Sequence, residues 1–225
     1  MREILITGGL GDFFALDAHM SDQERAEVCE IWLATRAASQ IRELLETSPR
    51  WQVEKYHCLQ RDFAKGPLHQ KAEVPEVPAR VADWSIGVRF AQILEGCRRY
   101  HGGNAYKATD TKHAAPVVIQ PATTADRRHQ RSLDADEWHD ILAYLEATAQ
   151  RAVVIGSAVP IPRHGPLTNL LGQTSLLESV EIVKRAKVYL GVDSWASVLA
   201  AQDTAKKLAV KSDNPHCYRH QSCLL

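Results

Sequence analysis

Short apolar runs alternate with stretches of helical periodicity along most of this chain. The runs predicted to be strands are 1–7, 28–34, 51–59, 116–120, 152–155, 187–192 and 205–211, and of these 1–7 and 116–120 have the composition of buried strands. Between them, apolar residues recur at helical spacing, for example at Trp138, Ile141 and Leu145. A chain in which strands and helices alternate builds parallel sheets with helices on both faces. The sequence therefore predicts an α/β fold.

Local signals mark where several helices and loops begin. Asp134 and Glu137 form a capping-box pattern at the start of the helix that contains Trp138. Another helix is expected from about Asp12, after a glycine-rich turn, and a further one over 82–97. Glycine and proline residues predict a loop over 61–80.

The chain also divides by composition. Residues 105–115 are polar and lie between two stretches of alternating strands and helices. With 225 residues, the chain is long enough to form two small domains. We predict an N-terminal domain over 1–110 and a C-terminal domain over 111–225.

Charge and composition exclude several classes of protein. Lys and Arg together number 27, as do Asp and Glu, so the net charge is zero and nucleic-acid binding by charge alone is disfavoured. The five cysteines form no Cys-x-x-Cys pair, which favours reduced thiols in the cytosol. No apolar run approaches the roughly 20 residues that span a bilayer, and the N-terminal residues do not resemble a signal peptide. We expect a cytoplasmic protein without a membrane span.

The ten histidines form no recognisable metal-binding pattern. His216, Cys217, His220 and Cys223 are close in sequence, but no second pair of ligands stands at zinc spacing. We therefore expect no metal site and no cofactor.

The first stretch suited to chemistry is Gly8-Gly9-Leu10-Gly11-Asp12, directly after the first predicted strand. Glycines such as Gly9 and Gly11 let the backbone approach a ligand closely, and the start of the next helix attracts anions. Phe14 stands where a dinucleotide-binding motif has its third glycine, and no P-loop motif is present. The carboxylate of Asp12 has two interpretations, a general base acting on a hydroxyl or a helix cap.

A second stretch, 120–131, follows a buried strand and precedes the helix that begins near Asp134. Its candidate ligand-binding residues are Thr123, Thr124, Arg127 and Arg128. Hydroxyls and backbone amides donate hydrogen bonds to a diphosphate, and arginines pair with its oxygens. The alternative interpretation is a solvated basic loop.

A third stretch follows the strand 187–192. Asp193 and Ser194 lie where this strand meets the next helix, so that amides and the Ser194 hydroxyl can hold a phosphate while Asp193 reaches sugar hydroxyls. Trp195 lies beside them and can touch a ligand. An ordinary helix N-cap explains Asp193 or Ser194 equally well. Because parallel sheets bind ligands at the carboxyl ends of their strands, these strand-end residues are the strongest candidates.

Taken in order, the three stretches resemble the bacterial lipopolysaccharide heptosyltransferases, which form glycosyltransferase family nine. In that family an early strand ends in a glycine-aspartate pair. A later strand leads to Thr-Thr, basic residues and a tryptophan-containing helix, and the last motif is Asp-Ser or Asp-Thr. The matching residues here are Gly11-Asp12, Thr123-Thr124, Arg127-Arg128, Trp138, the stretch 169–176, and Asp193-Ser194. The resemblance covers roughly 116–202 together with 1–16.

This resemblance implies two Rossmann-like parallel-sheet domains that face a cleft, which is the GT-B arrangement. It also implies a metal-independent enzyme that transfers a sugar with inversion from a nucleotide-sugar to an acceptor hydroxyl, with a saccharide acceptor favoured. The catalytic base would be Asp12. The predicted donor-binding residues are Gly9, Gly11, Thr123, Thr124, Arg127, Arg128, Asp193, Ser194 and Trp195.

The sequence leaves three other functions open. A phage-type enzyme that glycosylates a hydroxymethylated DNA base fits the compact chain, although the zero net charge disfavours strong duplex binding. One observation favours a non-catalytic nucleotide-binding module. In the family an acidic residue binds the ribose of the nucleotide, and that residue is missing here after Ile155-Gly156. A nicotinamide-dependent oxidoreductase is disfavoured by the missing third glycine.

Overall fold

The computed structural model describes residues 1–20, 22–59, 74, 76–83, 111–123, 132–157, 159–203 and 205–211. The chain divides into two compact units, Met1–Ala108 and Thr109–Leu225. Each unit has its own parallel sheet with helices between the strands, so the predicted α/β class is confirmed. No helix in the described ranges is long and apolar enough to cross a membrane.

The N-terminal unit contains a parallel sheet. Its strands are β1 (Arg2–Ile6), β2 (Cys29–Leu33), β3 (Val53–Cys58) and β4 (Ala82–Asp83), and its helices are α1 (Leu10–His19), α2 (Asp22–Ala26) and α3 (Ala38–Thr47). The strands lie in the order β3-β2-β1-β4, and every neighbouring pair is parallel. Ile4 and Ile6 of β1 and Ile31 and Leu33 of β2 are fully buried, so these two strands lie in the core.

The sequence predicted a helix over 82–97, and this prediction is wrong at residues 82 and 83, which form strand β4. Its two residues pair in parallel with Ile4 and Leu5 of β1. The rest of the predicted helix, 84–97, lies outside the described residues. A strand of two residues has no periodicity of its own, so only its pairing with β1 distinguishes it from the start of a helix.

A buried ion pair stabilises the end of α1. Arg25 is fully buried, and its Nε lies 3.4 Å from Oδ1 of Asp17. The guanidinium also donates to the carbonyl oxygens of Asp17 and Met20, at 2.8 and 2.5 Å. Trp51 Nε1 donates to the same Asp17 carboxylate at 2.9 Å. A side chain thus satisfies carbonyls at the helix end, which lack partners within the helix.

The C-terminal unit contains a second parallel sheet. Its strands are β5 (Val117–Gln120), β6 (Ala152–Val154), β7 (Leu167–Asn169), β8 (Val188–Val192) and β9 (Lys207–Lys211), and its helices are α4 (Ala135–Ala147), α5 (Leu176–Arg185) and α6 (Trp195–Ala201). The strands lie in the order β7-β6-β5-β8-β9, all parallel. The short edge strand β7 is one that the apolar pattern did not predict.

Helix α4 covers one face of this second sheet. Its Trp138, Ile141 and Leu145 pack in one cluster with Val117 and Ile119 of the central strand β5. All five side chains are buried, and burial of each large apolar side chain contributes about 1.5–3 kcal/mol. The helical stripe read from the sequence is therefore the face that packs on the sheet.

Candidate functional site

Both sheets reverse their strand order beside their first strand. The chain runs from β1 to β2 and β3 on one side and later adds β4 on the other, and it runs from β5 to β6 and β7 before it adds β8 and β9. Open parallel sheets bind ligands outside the carboxyl ends of the strands next to such a reversal. Each unit therefore has one candidate edge, after β1 in the N-terminal unit and after β5 and β8 in the C-terminal unit.

Asp12 lies at the candidate edge of the N-terminal unit. The helix begins at Leu10, two residues earlier than predicted, and Gly9 is its N-cap. The backbone N–H of Gly9 donates to Oδ2 of Asp12 at 2.7 Å. Because Asp12 is the third helical residue, its carboxylate reaches back to the N-cap as the acid of a capping box does. The structure thus contains the capping hydrogen bond, and the general-base role stays a prediction.

The turn before α1 is built around this carboxylate. A Cβ at Gly8 would overlap the side chain of Asp12, so the close approach requires glycine at this position. Thr35, which follows β2, donates its hydroxyl proton to the carbonyl oxygen of Gly8 at 2.5 Å. The loops after β1 and β2 are therefore joined, and the Asp12 carboxylate is fixed at the end of β1. Gly9 is exposed and Gly11 is half-buried at this turn.

A carboxylate–imidazole pair lies on strands β2 and β3 of the same unit. His57 Nε2 lies 2.5 Å from Oε2 of Glu30, and the His57 ring stacks on Trp32 with centroids 3.9 Å apart. The hydrogen bond with His57 is the main cause that lowers the pKa of Glu30 below its ordinary value, against an opposing effect of burial. The pair holds β2 to the edge strand β3, and sequence reasoning did not identify it.

The candidate edge of the C-terminal unit brings together two of the three predicted stretches. Thr123 follows β5, and Asp193, Ser194 and Trp195 follow β8. Since β5 and β8 are neighbours in the sheet, these half-buried residues lie at the same edge, beside the reversal of strand order. The other predicted donor-binding residues, Thr124, Arg127 and Arg128, lie outside the described residues.

Ser194 is the N-cap of α6. Its Oγ accepts a hydrogen bond from the backbone N–H of Ala196 at 3.2 Å, and Ser197 Oγ accepts from the N–H of Ser194 at 2.8 Å. Ser194 also donates its hydroxyl proton to Oε1 of Gln120 at 2.5 Å. The cap is thereby tied to the last residue of β5.

Sequence reasoning missed two buried polar residues at this edge. Gln120 is 4% exposed, and the fully buried Tyr189 lies with its hydroxyl 3.3 Å from Ser194 Oγ. Tyr189 donates to the carbonyl oxygen of Val192 at 2.8 Å, and burial raises the pKa of its phenol, which stays protonated at neutral pH. The sequence did contain a signal that could have identified them, because each is a polar residue in an otherwise apolar strand.

Lys211, at the end of β9, forms salt bridges with two acidic residues. Lys211 Nζ lies 2.9 Å from Glu137 Oε2 and 3.2 Å from Asp134 Oδ2. The hydrogen bond to Glu137 is the main cause that raises the pKa of Lys211. This cation therefore joins β9 to the start of α4.

Within the described parts of the chain, no group of three or more His, Cys, Asp or Glu side chains is placed to hold a metal ion. The histidines and cysteines at 216–223 lie outside those parts. The expected lack of a metal stays a prediction.

The fold matches that of known glycosyltransferases. A family nine glycosyltransferase from Veillonella parvula aligns with 93% of this chain and 79% of its own, at 9% identity and a TM-score of 0.55. The ADP-heptose LPS heptosyltransferase II of E. coli aligns with 93% of this chain and 84% of its own, at 15% identity and a TM-score of 0.53. The chain thus has the parallel-sheet α/β fold that its resemblance to the heptosyltransferases implied, and the cleft between two domains stays a prediction.

A third similar structure is the heptosyltransferase TibC of enterotoxigenic E. coli, described as iron-containing and dodecameric and bound to ADP-D-β-D-heptose. It is 14% identical, with a TM-score of 0.50, and the alignment covers 94% of this chain. The chain spans 57% of the length of TibC. No family model matches the sequence, and no curated protein matches it.

Proposed function

We propose that this protein is an inverting glycosyltransferase that moves a sugar from a nucleotide-sugar to an acceptor hydroxyl. The observation that carries the proposal is the shared fold with three glycosyltransferases, two of them named heptosyltransferases, at TM-scores of 0.50 to 0.55. The polar residues at the two candidate edges support it, because such edges bind ligands in parallel sheets. A cleft between two Rossmann-like domains is part of the same proposal.

In this proposal the C-terminal unit binds the donor. Thr123 and the segment Asp193–Trp195 share one edge of the sheet and contribute hydroxyl, amide and carboxylate groups to the nucleotide-sugar. The negative charge of the diphosphate requires cations, and Lys211 is already paired with two carboxylates. By resemblance to the heptosyltransferases, the proposal assigns the charge-assisted hydrogen bonds to the departing diphosphate to Arg127 or Arg128, with Thr124.

The N-terminal unit supplies the base. An inverting transfer needs a nucleophile that attacks the anomeric carbon from the side opposite the departing diphosphate, and a base that takes its proton. Asp12 is a carboxylate at the candidate edge of this unit. A carboxylate has about four acceptor positions, so the hydrogen bond from Gly9 is compatible with taking a proton from a hydroxyl.

The proposed donor is an ADP-sugar, with a saccharide as the acceptor. Two of the similar structures are named for ADP-heptose or contain it, which sets the first compound to test. A thermal-shift panel of ADP-, UDP-, GDP- and CMP-sugars measures donor binding directly. A ligand at about 100 times its dissociation constant stabilises the folded state by roughly 2.7 kcal/mol, so binding raises the melting temperature visibly.

Hydrolysis of the same donors, followed with and without a chelator, tests the reaction and its predicted independence of metal. We expect an ADP-sugar to give the largest shift and measurable release of ADP. If no nucleotide-sugar shifts the melting temperature and none is hydrolysed, the proposal is wrong.

A second candidate is a nucleotide-binding module without transferase activity. The observation that favours it is the hydrogen bond from Gly9 to Asp12, which gives the carboxylate a structural role without any catalysis. This candidate predicts thermal shifts with nucleotides but no release of ADP from the donor. The same two assays therefore separate it from the transferase.

A further inference from the structure

Gln120 is a buried polar residue at the candidate edge of the C-terminal unit. It ends β5, the strand beside which the strand order reverses, and only 4% of it is exposed. Burial of an amide is unfavourable unless its polar atoms find partners. Its Oε1 has one, because Ser194 Oγ donates to it at 2.5 Å. The bond joins the end of β5 to the segment that follows β8, across 74 positions of sequence.

The hydrogen bonds around Ser194 leave its single proton committed. A serine hydroxyl has one proton to donate and two lone pairs that accept. The proton goes to Gln120, and one lone pair accepts from the backbone N–H of Ala196. Tyr189 donates its own proton to the carbonyl oxygen of Val192, so its oxygen is a second acceptor for the Ser194 proton, but it lies 3.3 Å from Ser194 Oγ and Gln120 Oε1 lies closer, at 2.5 Å. In this arrangement Ser194 has no proton for a ligand.

Gln120 is also closely packed by its neighbours in the sheet. Gly191 of β8 is its register partner, and a Cβ there would overlap the carbonyl oxygen of Gln120. On the other side, a Cβ at Gly156, which follows β6, would lie 3.5 Å from Cγ of Gln120. The side chain therefore lies between the ends of β6 and β8, and its carboxamide is directed at Ser194.

We infer that Gln120 is a positioning residue of the proposed donor site, which acts by holding Ser194 and the segment Asp193–Trp195 against the end of β5. The inference rests on the proposed function for the identity of the ligand. In this role Gln120 accepts a hydrogen bond from Ser194. Ser194 therefore fixes the position of the segment and does not donate a hydrogen bond to the diphosphate. The segment contacts the donor in its correct place only while the bond exists.

A double-mutant cycle with Gln120→Met and Ser194→Ala tests this role, with ADP and UDP as the probes. Methionine has a similar length but a thioether in place of the carboxamide acceptor. Loss of the bond should weaken binding of the nucleoside diphosphate about 3- to 10-fold, as expected for one neutral hydrogen bond. Because both changes break the same contact, the double variant should bind no more weakly than either single variant.

The direction of the Gln120→Met effect separates positioning from direct contact. If Ser194 donates to the ligand, Gln120→Met releases its proton, and binding stays equal or becomes tighter, which overturns the inference. If Gln120 itself touches the ligand, its effect persists undiminished in the Ser194→Ala background, which also overturns it. Dissociation constants are measured well below the melting temperature of every variant, so that a purely structural role leaves them unchanged.

Gln52→Met is the matched control, since Gln52 is an exposed glutamine of the N-terminal unit. Gln120→Leu replaces Gln120→Met if the methionine variant does not fold. If neither folds while the control does, Gln120 is required for folding and the inference is overturned. A wild-type protein that binds ADP but transfers no sugar refutes the proposed function. In that case the double-mutant cycle still decides whether Gln120 positions Ser194. A wild-type protein that binds neither diphosphate and none of the four nucleotide-sugars refutes both.

Discussion

The variant Asp12→Asn separates the two roles considered for this carboxylate. Asparagine has the same shape and keeps an oxygen that can accept the N–H of Gly9, a hydrogen bond of 2.7 Å in the wild-type protein. It lacks the negative charge and cannot take a proton from an acceptor hydroxyl. If Asp12 is the general base, we expect turnover to fall roughly 10²–10⁴-fold.

The expected loss of stability in this variant is small. A negative charge in the first turn of a helix contributes about 0.3–1 kcal/mol, and that part is lost. Loss of a capping hydrogen bond costs about 0.5–2 kcal/mol. Asp12→Asn should therefore lower the free energy of unfolding by less than about 1 kcal/mol. Asp12→Ala, which also loses the bond from Gly9, should lower it by up to about 3 kcal/mol.

The assay measures ADP release from the donor, donor affinity and urea denaturation on the same preparations. Asp136→Asn is the matched control, because Asp136 is an exposed carboxylate in the first turn of α4. The control should lose the same small amount of stability and keep its turnover. If Asp12→Asn loses stability and keeps its turnover per folded molecule, Asp12 is only a helix cap and the mechanism is wrong.

Two further predictions concern stability. Arg25→Met should lower the free energy of unfolding by about 3–5 kcal/mol, because it leaves the buried carboxylate of Asp17 without its ion pair. Urea denaturation should show partial recovery when Asp17→Asn is added, and an equal loss in both variants would contradict the explanation. The hydrogen bond with His57 lowers the pKa of Glu30, so its stabilising contribution is present above the ordinary carboxyl pKa and is lost as the pH falls through the lowered value. Glu30→Gln should flatten the acidic side of a plot of denaturation midpoint against pH, and an unchanged acidic side would refute the assignment.

Local signals in the sequence were sufficient where the interacting residues are close in the chain. The capping box predicted for α4 is present, with Glu137 N–H donating to Asp134 at 3.0 Å and Asp134 N–H donating to Glu137 at 2.8 Å. Ser194 is the N-cap that the sequence offered as one of its two interpretations. These bonds join residues two or three positions apart, so a short window of sequence contains both partners.

The start of α1 shows where such a window is insufficient. The sequence placed the helix near Asp12, but it begins at Leu10 with Gly9 as its cap. Glycine has no side chain to accept the hydrogen bonds of an N-cap, so it gives a weaker signal than serine or aspartate. Asp12 and Gly9 together make the cap, and the carboxylate that seemed to mark the first helical residue is the third.

The sequence by itself determined seven of the nine strands in the described residues, the apolar face of α4 and the polar residues that follow β1, β5 and β8. Only the tertiary structure decided that β5 and β8 are neighbours, that two residues at 82–83 complete the first sheet, and that Gln120 holds Ser194. The physical reason is that periodicity records whether a side chain is buried, while the order of strands depends on how crossover connections pack. Residues such as Gln120 and Ser194, 74 positions apart, become partners only when that order is known.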